Sequence, residues 1–349
     1  MTEPAWDLPK DLDAASWEHM ADIVPRHYVC HFVEDAPRID GKLDKTLWQE
    51  APWSEPFTDI EGDRRPAPRQ ETRMAMRWDH TCLYIAARLE ETHVWGSLTE
   101  PNSVIFQDND FEVFIDPDGD HHQYWEMEVN ALNTLWQLAL EKPYRDGGPP
   151  VSPAPIAGLR SAVYVEGTLN APHDTDTYWS VEIAIPWRGL APYAPQGGVP
   201  PKEGAQWRMN FSRVQWQHEI HAGAYRKKPD TPEDNWVWSP QGVVDMHRPE
   251  RWGFVQFTRA RPGETAFRPD PTFPAREALM AVYYAQRAFF KTHGRWAKSL
   301  KELPGALTEN IRLTSGRKGW VAEMPAETAD GRPCTVRVDE VSRMTVEKE

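Results

Sequence analysis

Cysteine is scarce: Cys30, Cys82 and Cys334 are all that 349 residues contain. Thiols so few and so scattered build neither a disulfide framework nor a cysteine-based zinc site. Long apolar runs are missing as well, none approaching the roughly 18 residues of a membrane span. Basic residues are outnumbered, with 39 Lys and Arg against 53 Asp and Glu, for a formal charge of −14. That balance excludes nucleic acid and anionic membrane as general partners, since both need a clustered positive field. The start, MTEPAWDLPK, has neither the basic residues nor the apolar stretch of a signal peptide. The chain as written is therefore expected in the cytoplasm, or in the periplasm or outside the cell if a leader has been removed. No Gly-rich phosphate loop, Gly-x-Ser-x-Gly elbow or Cys–His nucleophile pair is present.

Aromatics and proline are plentiful instead, with 17 Trp and 32 Pro. From Tyr28 to Thr258 short segments rich in β-branched and aromatic residues follow one another, among them YVCHFV, ETRMAMRWD, CLYIAARLE, TLWQLALE, SAVYVEG, TYWSVEIAI, QWRMNFSRVQ, WVWS and WGFVQF. Turn residues separate them, and no strand–helix alternation appears. The expected fold is mainly β, an antiparallel sandwich of immunoglobulin or jelly-roll type over 28–258. An N-terminal extension (1–27), a Pro-rich linker (259–274) and a small α+β appendage (275–349) complete the expected organisation. In the appendage Leu279, Val282, Tyr283, Gln286, Phe289 and Phe290 recur at helical spacing up to Gly294, and form a packing face. Two or three short strands are expected after that helix. Long loops at 142–159 and 218–235 are candidates for function.

One stretch, Asp108 to Asn130, reads as a β-hairpin with an acidic face. Phe111, Val113 and Ile115 alternate with Asp110, Glu112, Phe114 and Asp116; beyond the turn, Trp125, Met127 and Val129 alternate with Tyr124, Glu126, Glu128 and Asn130. Pairing the arms through Pro117-Asp118-Gly119-Asp120 sets Glu112 opposite Glu128. Opposed like charges destabilise a sheet unless a cation, a proton or a polar ligand relieves them. Two carboxyls on neighbouring strands also match the spacing of a retaining glycosidase, about 5–5.5 Å, so a glycoside hydrolase using Glu112 and Glu128 is one reading. Asp116, Asp118 and Asp120 resemble the start of a calcium loop. The EF-hand pattern fails, because His121 and Met127 stand where Gly and a bidentate acid belong. A β-turn calcium site remains as the metal candidate. His218-Glu219-Ile220-His221 is one residue short of a zincin motif.

Three segments together resemble the family 9 carbohydrate-binding modules and their DOMON-related β-sandwich neighbours. They are RIDGKLDKTLWQEAPW (38–53), the pair RMAMRWDHTCLYIAARLEE (73–91) and QDNDFEVFIDPDG with YWEMEVNALNTLWQL, and WSPQGVVDMHRPERWGFVQF (238–257). The resemblance implies a non-catalytic glycan-binding module with a part in polysaccharide breakdown. Sugar binders of that family hold a pyranose between two Trp, with a Glu, an Arg and amide groups on the hydroxyls. Carried over, the Glu falls on Glu112, beside Asp110, with Asn130 as a nearby polar position. The two Trp fall on Phe106 and Met246, and the Arg on Glu128. The amide falls on Ser212, with Arg213 beside it. Trp136, Trp236, Trp238 and Tyr144 are the replacement platforms. Because some relatives hold haem between Met and His or Lys, a haem-binding electron-transfer domain is the alternative from another class, with Met246, Met127 and His247 as ligands.

Overall fold

Period-two alternation on the strands Asp110–Asp116 and Tyr124–Asn130 drives one row of each into the main core and leaves an acidic row on the other face. The computed structural model describes residues 14–194, 198–304, 310–317 and 319–348. Its principal sheet has 13 strands. In hydrogen-bonded order the main path runs Pro150–Val151, Leu135–Leu140, Tyr124–Asn130, Asp110–Asp116, Gln206–Gln215, Gly253–Thr258, His27–Phe32, Thr72–Trp78, Cys82–Glu90, Tyr178–Pro186 and Arg160–Glu166. Phe111, Val113 and Met127 near one end of this path share a buried cluster with Leu83, Val181 and Ile183 near the other, so the sheet curls around a single core. The expectation of a purely antiparallel sandwich is corrected in two respects. His27–Phe32 runs parallel to both of its neighbours, which makes the sheet mixed, and hydrogen bonding is continuous around the curl.

The RIDGKLDKTLW segment has a physical reason for its composition. Glu182, fully buried on Tyr178–Pro186, accepts hydrogen bonds from Asp40 N, Gly41 N, Lys45 Nζ and Trp48 Nε1 at 2.6–2.9 Å. A buried carboxylate is tolerated only when paired in this way. Gly41 has φ +81°, and a Cβ there would lie 2.6 Å from the Val163–Tyr164 backbone, so only glycine fits.

The appendage consists of the helix Phe273–His293, closed by Gly294 in the left-handed region, and a four-stranded antiparallel sheet ending in Met344–Lys348. That last strand completes a sheet for which two or three strands were expected. Leu279, Val282, Tyr283 and Phe289 are buried, whereas Phe290 is exposed and lies against the Trp296 ring at a tilt of 37°. The N-terminal helix Ala14–Ala21 packs on the same cluster through Met20, and Trp17 stacks on Tyr284. Residues 259–272 lie along the sheet: Phe267 stacks on His27, and Gln256 bonds the backbone of Ala266 and Arg268.

A buried charge network joins the appendage to the sheet. Arg145 reaches Glu250 at 2.9 Å, Tyr284 donates to Glu250, Tyr283 and Ser342 donate to Asp146, and Arg248 donates to Tyr284. Burial alone would raise the Glu250 carboxyl, but the charges of Arg145, His121 and Arg248 bring it down to about 2. Replacing Glu250 by Ala removes the nearer of the two buried carboxylates that pair with Arg145 and is expected to cost about 3–5 kcal/mol in urea unfolding at pH 7. The stabilisation is complete above the unfolded carboxyl's 4.5 and is lost as the pH falls through about 2. The acid limb of the stability curve should accordingly flatten in Glu250→Gln.

Candidate functional site

The hairpin register is the one the alternation implies: Glu112 faces Glu128 and Asp110 faces Asn130. Ser212 lies in register with Glu112 from the other side, and Trp136 with Glu128. The acidic row is buried rather than open, with Asp110, Glu112 and Glu128 between 0 and 4% exposed. A short 3-10 turn, Ile105–Gln107, covers it, and Phe106 N donates to Glu128 Oε2 at 2.8 Å. Val214 N donates to Asp110 Oδ1 at 3.1 Å. Burial pushes the Glu112 carboxyl up to about 7, and burial with the Glu112 charge raises Asp110 and Glu128 well above the carboxylate range.

One row along, Glu126 lies 3.8 Å from His247 Nε2, while His247 Nδ1 pairs with Tyr124 OH at 2.9 Å. Burial lowers His247 to about 4, so the ring is neutral at pH 7.

Asp110, Glu112 and Glu128 each offer an oxygen, all within 4.8 Å of one another, and Asp116, Asp118 and Asp120 do the same. Either set could hold a divalent cation. The turn set is also satisfied by the chain itself. Asp116 accepts from Gly119 N and His121 N, Asp118 from Asp120 N, and Asp120 from His122 N and Arg343. His121 and His122, beside this turn, are buried against the appendage and donate to the carbonyls of Ser342 and Val341.

An open cleft lies elsewhere, at the far end of the strand Gln206–Gln215. A cleft of about 560 Å³ is lined by Arg69, Gln70, Glu91, Gln215, Trp216 and His218, among others, a volume within the range of small-molecule sites. Its floor is built by Arg213. The guanidinium donates to Gln215 Oε1, Thr72 Oγ1, Gln70 Oε1 and Glu91 Oε2 at 3.0–3.2 Å. Gln215 and Gln70 return their amide N–H groups to the same Glu91 carboxylate. Burial lowers Arg213 only to about 10, so it stays charged. Trp216 forms a wall, its Nε1 held by Phe106 O at 2.8 Å and one ring face covered by the Lys227 ammonium at 3.5 Å. The stretch 218–227, expected as a loop, pairs as the hairpin His218–His221 with Ala224–Lys227 beside this cleft.

The residues singled out in the sequence divide among these places. Asp110, Glu112, Glu128 and Ser212 come together on the acidic row. Phe106 and Met246 are half-buried in a satellite cluster with Trp136 and Tyr144. Asn130 is buried and bonds Leu98 O and Asp108. Trp238 sits in the main core, its indole against Gly253, where a Cβ would lie 2.3 Å from the ring. Trp236 is buried under the Arg69 and Arg213 guanidiniums. Of the haem candidates, Met127 points into the main core, on the opposite face of its strand from Tyr124, which His247 bonds. The glycosidase pair lies beneath Phe106 rather than facing the open cleft. Gln70, Glu91, Gln215 and Trp216 escaped sequence reading because they stand at the ends of strands whose adjacency only the sheet order reveals.

Residues 39–235 match the model of the carbohydrate family 9 binding domain-like family, and the chain belongs to that family. No curated protein matches it. Among solved structures it is similar to a putative carbohydrate-binding protein from Bacteroides uniformis, at 16% identity and a TM-score of 0.51 over 67% of this chain and all of that one. That likeness is one of fold. A family 9 carbohydrate-binding module from Caldicellulosiruptor kristjanssonii in complex with glucose aligns at 15% identity and a TM-score of 0.43, over 69% of this chain and all of the module.

The floor of the cleft is a buried ion pair, so breaking one side of it should cost more than removing both. Arg213→Met is expected to lose about 3–5 kcal/mol in chemical denaturation. Adding Glu91→Met to Arg213→Met should recover part of that loss in a double-mutant cycle.

Proposed function

We propose that this chain is a non-catalytic carbohydrate-binding β-sandwich module whose sugar sits in the cleft floored by Arg213. Its setting in this reading is polysaccharide breakdown. Family membership supports the ligand class, and the constellation in the cleft is the observation that carries the place. Sugar hydroxyls both donate and accept, so they need rigid amide and carboxylate groups in fixed directions. Gln70, Glu91 and Gln215 are such groups, each held by the same guanidinium. Pre-ordering them means that little side-chain entropy is lost on binding. Trp216 adds apolar surface at the margin. Phe106, through its carbonyl bond to Trp216, is the one residue of the inherited Trp positions that touches this arrangement. The sugar reading needs no calcium.

Calorimetry and Trp fluorescence against a panel of mono- and oligosaccharides test the reading. Binding should weaken by about tenfold or more in Gln70→Ala and in Trp216→Ala, the loss of one or two good polar or stacking contacts. Glu126→Gln on the closed acidic face should bind as the parent does. A broad glycan panel without a single ligand would sink the carbohydrate assignment. A ligand that ignores Gln70 and Trp216 but is lost in Met246→Ala would move the site to the position the family pattern marks.

A further inference from the structure

Several of the buried acids of this protein are neutralised by a neighbouring cation. Glu182 is paired with Lys45, Glu91 with Arg213, Glu250 with Arg145, and Asp146 with Arg145 and Arg287. Asp110, Glu112 and Glu128 are as deeply buried, yet no Lys or Arg among the described residues forms an ion pair with any of them. Two of their oxygens, Asp110 Oδ2 and Glu112 Oε2, have no hydrogen-bond partner. Ser212 Oγ, fully buried and in register with Glu112 from the adjacent strand, has that carboxyl alone beside it. Buried polar oxygens are almost always satisfied, and an orphaned set on one spot marks a missing partner.

We propose that Asp110, Glu112 and Glu128 bind one hard divalent cation, with Ser212 Oγ as a neutral oxygen beside them. The spacing suits it. Calcium–oxygen bonds run about 2.3–2.6 Å, so two ligands of one ion lie at most about 5 Å apart. The carboxylate oxygens here are all within 4.8 Å of one another. An all-oxygen donor set selects calcium or magnesium over the softer transition metals. The cover formed by Phe106 leaves these groups in the interior, away from the open cleft. The ion takes the place of a guanidinium: it supplies the positive charge that Glu182, Glu91, Glu250 and Asp146 receive from Lys or Arg. This site stands independently of the carbohydrate reading, since it requires neither the cleft nor a glycan.

The test uses the full chain, stripped with EDTA and then returned to calcium, to magnesium or to neither. Native mass spectrometry and elemental analysis should find one ion bound by these residues, and the melting temperature should rise by a few degrees with the ion that binds. In Glu112→Gln/Glu128→Gln that affinity should fall at least about tenfold and the melting temperature should become insensitive to chelator. Asp110→Asn answers the same question if the double variant does not fold. Asp118→Asn, which alters the other carboxylate cluster, should keep the ion. A parent protein that takes up neither calcium nor magnesium and melts alike in chelator and in both salts overturns the proposal, leaving protons as the neutralising partner. So does an ion retained with unchanged affinity by the double variant but lost in Asp118→Asn.

Discussion

A carboxylate taken out of water must meet a positive charge, a set of N–H donors or a proton. Much of this molecule is arranged around that requirement. Glu182 gathers Lys45, Trp48 and two backbone amides, and so fastens the 40–48 segment to the sheet. Glu250 and Asp146 gather Arg145, Tyr283, Tyr284 and Ser342, and so fasten the appendage to the hairpin side of the same sheet. Asp116 and Asp120 are met chiefly by the turn's own N–H groups. The apolar core supplies most of the burial, but these acids decide which segments lie against which. Hydrophobic contact alone is indifferent to partner, whereas an unmatched charge is not.

The same requirement explains why the site that the hairpin suggests is closed. An exposed acidic row would be solvated and would tolerate its own repulsion. Here Phe106 donates its amide to Glu128, and the turn that carries it lies over the row. Closure of that face leaves the far strand ends as the open polar surface. There Arg213 points inward and holds Glu91 and two glutamines in place.

How much of this the sequence displays depends on range. Alternation is local, so the arms 110–116 and 124–130, their faces and the Glu112–Glu128 opposition can be read directly. The helical stripe from Leu279 to Phe289 and its stop at Gly294 are legible for the same reason. The parallel placement of His27–Phe32 is not, because it depends on strands more than 200 residues away closing around the core. Burial of His121 and His122 depends on carbonyls at 341 and 342. The hairpin at 218–227 was invisible because HEIH and AYRK carry little apolar alternation, and the pair lies on a polar margin. Arg213 was found as a residue but not as a role: beside Ser212 it looks like a ligand, and only the positions of Gln70 and Glu91 show that it is a support.

The backbone of one residue ties the two sites together. The amide N–H of Phe106 is bonded to Glu128 in the closed cluster, and its carbonyl accepts from Trp216 at the wall of the cleft. Asn109, three residues on, accepts from the backbone of Trp216 and repeats the link. The position where the family pattern places a sugar-stacking Trp has therefore become a strut. Its ring is half-buried, and its backbone does the holding. Glu128, where the resemblance would put an Arg, supplies the acceptor that anchors this strut. Whatever neutralises Glu128 thus also fixes where Trp216 stands, because both rest on the same three atoms of backbone.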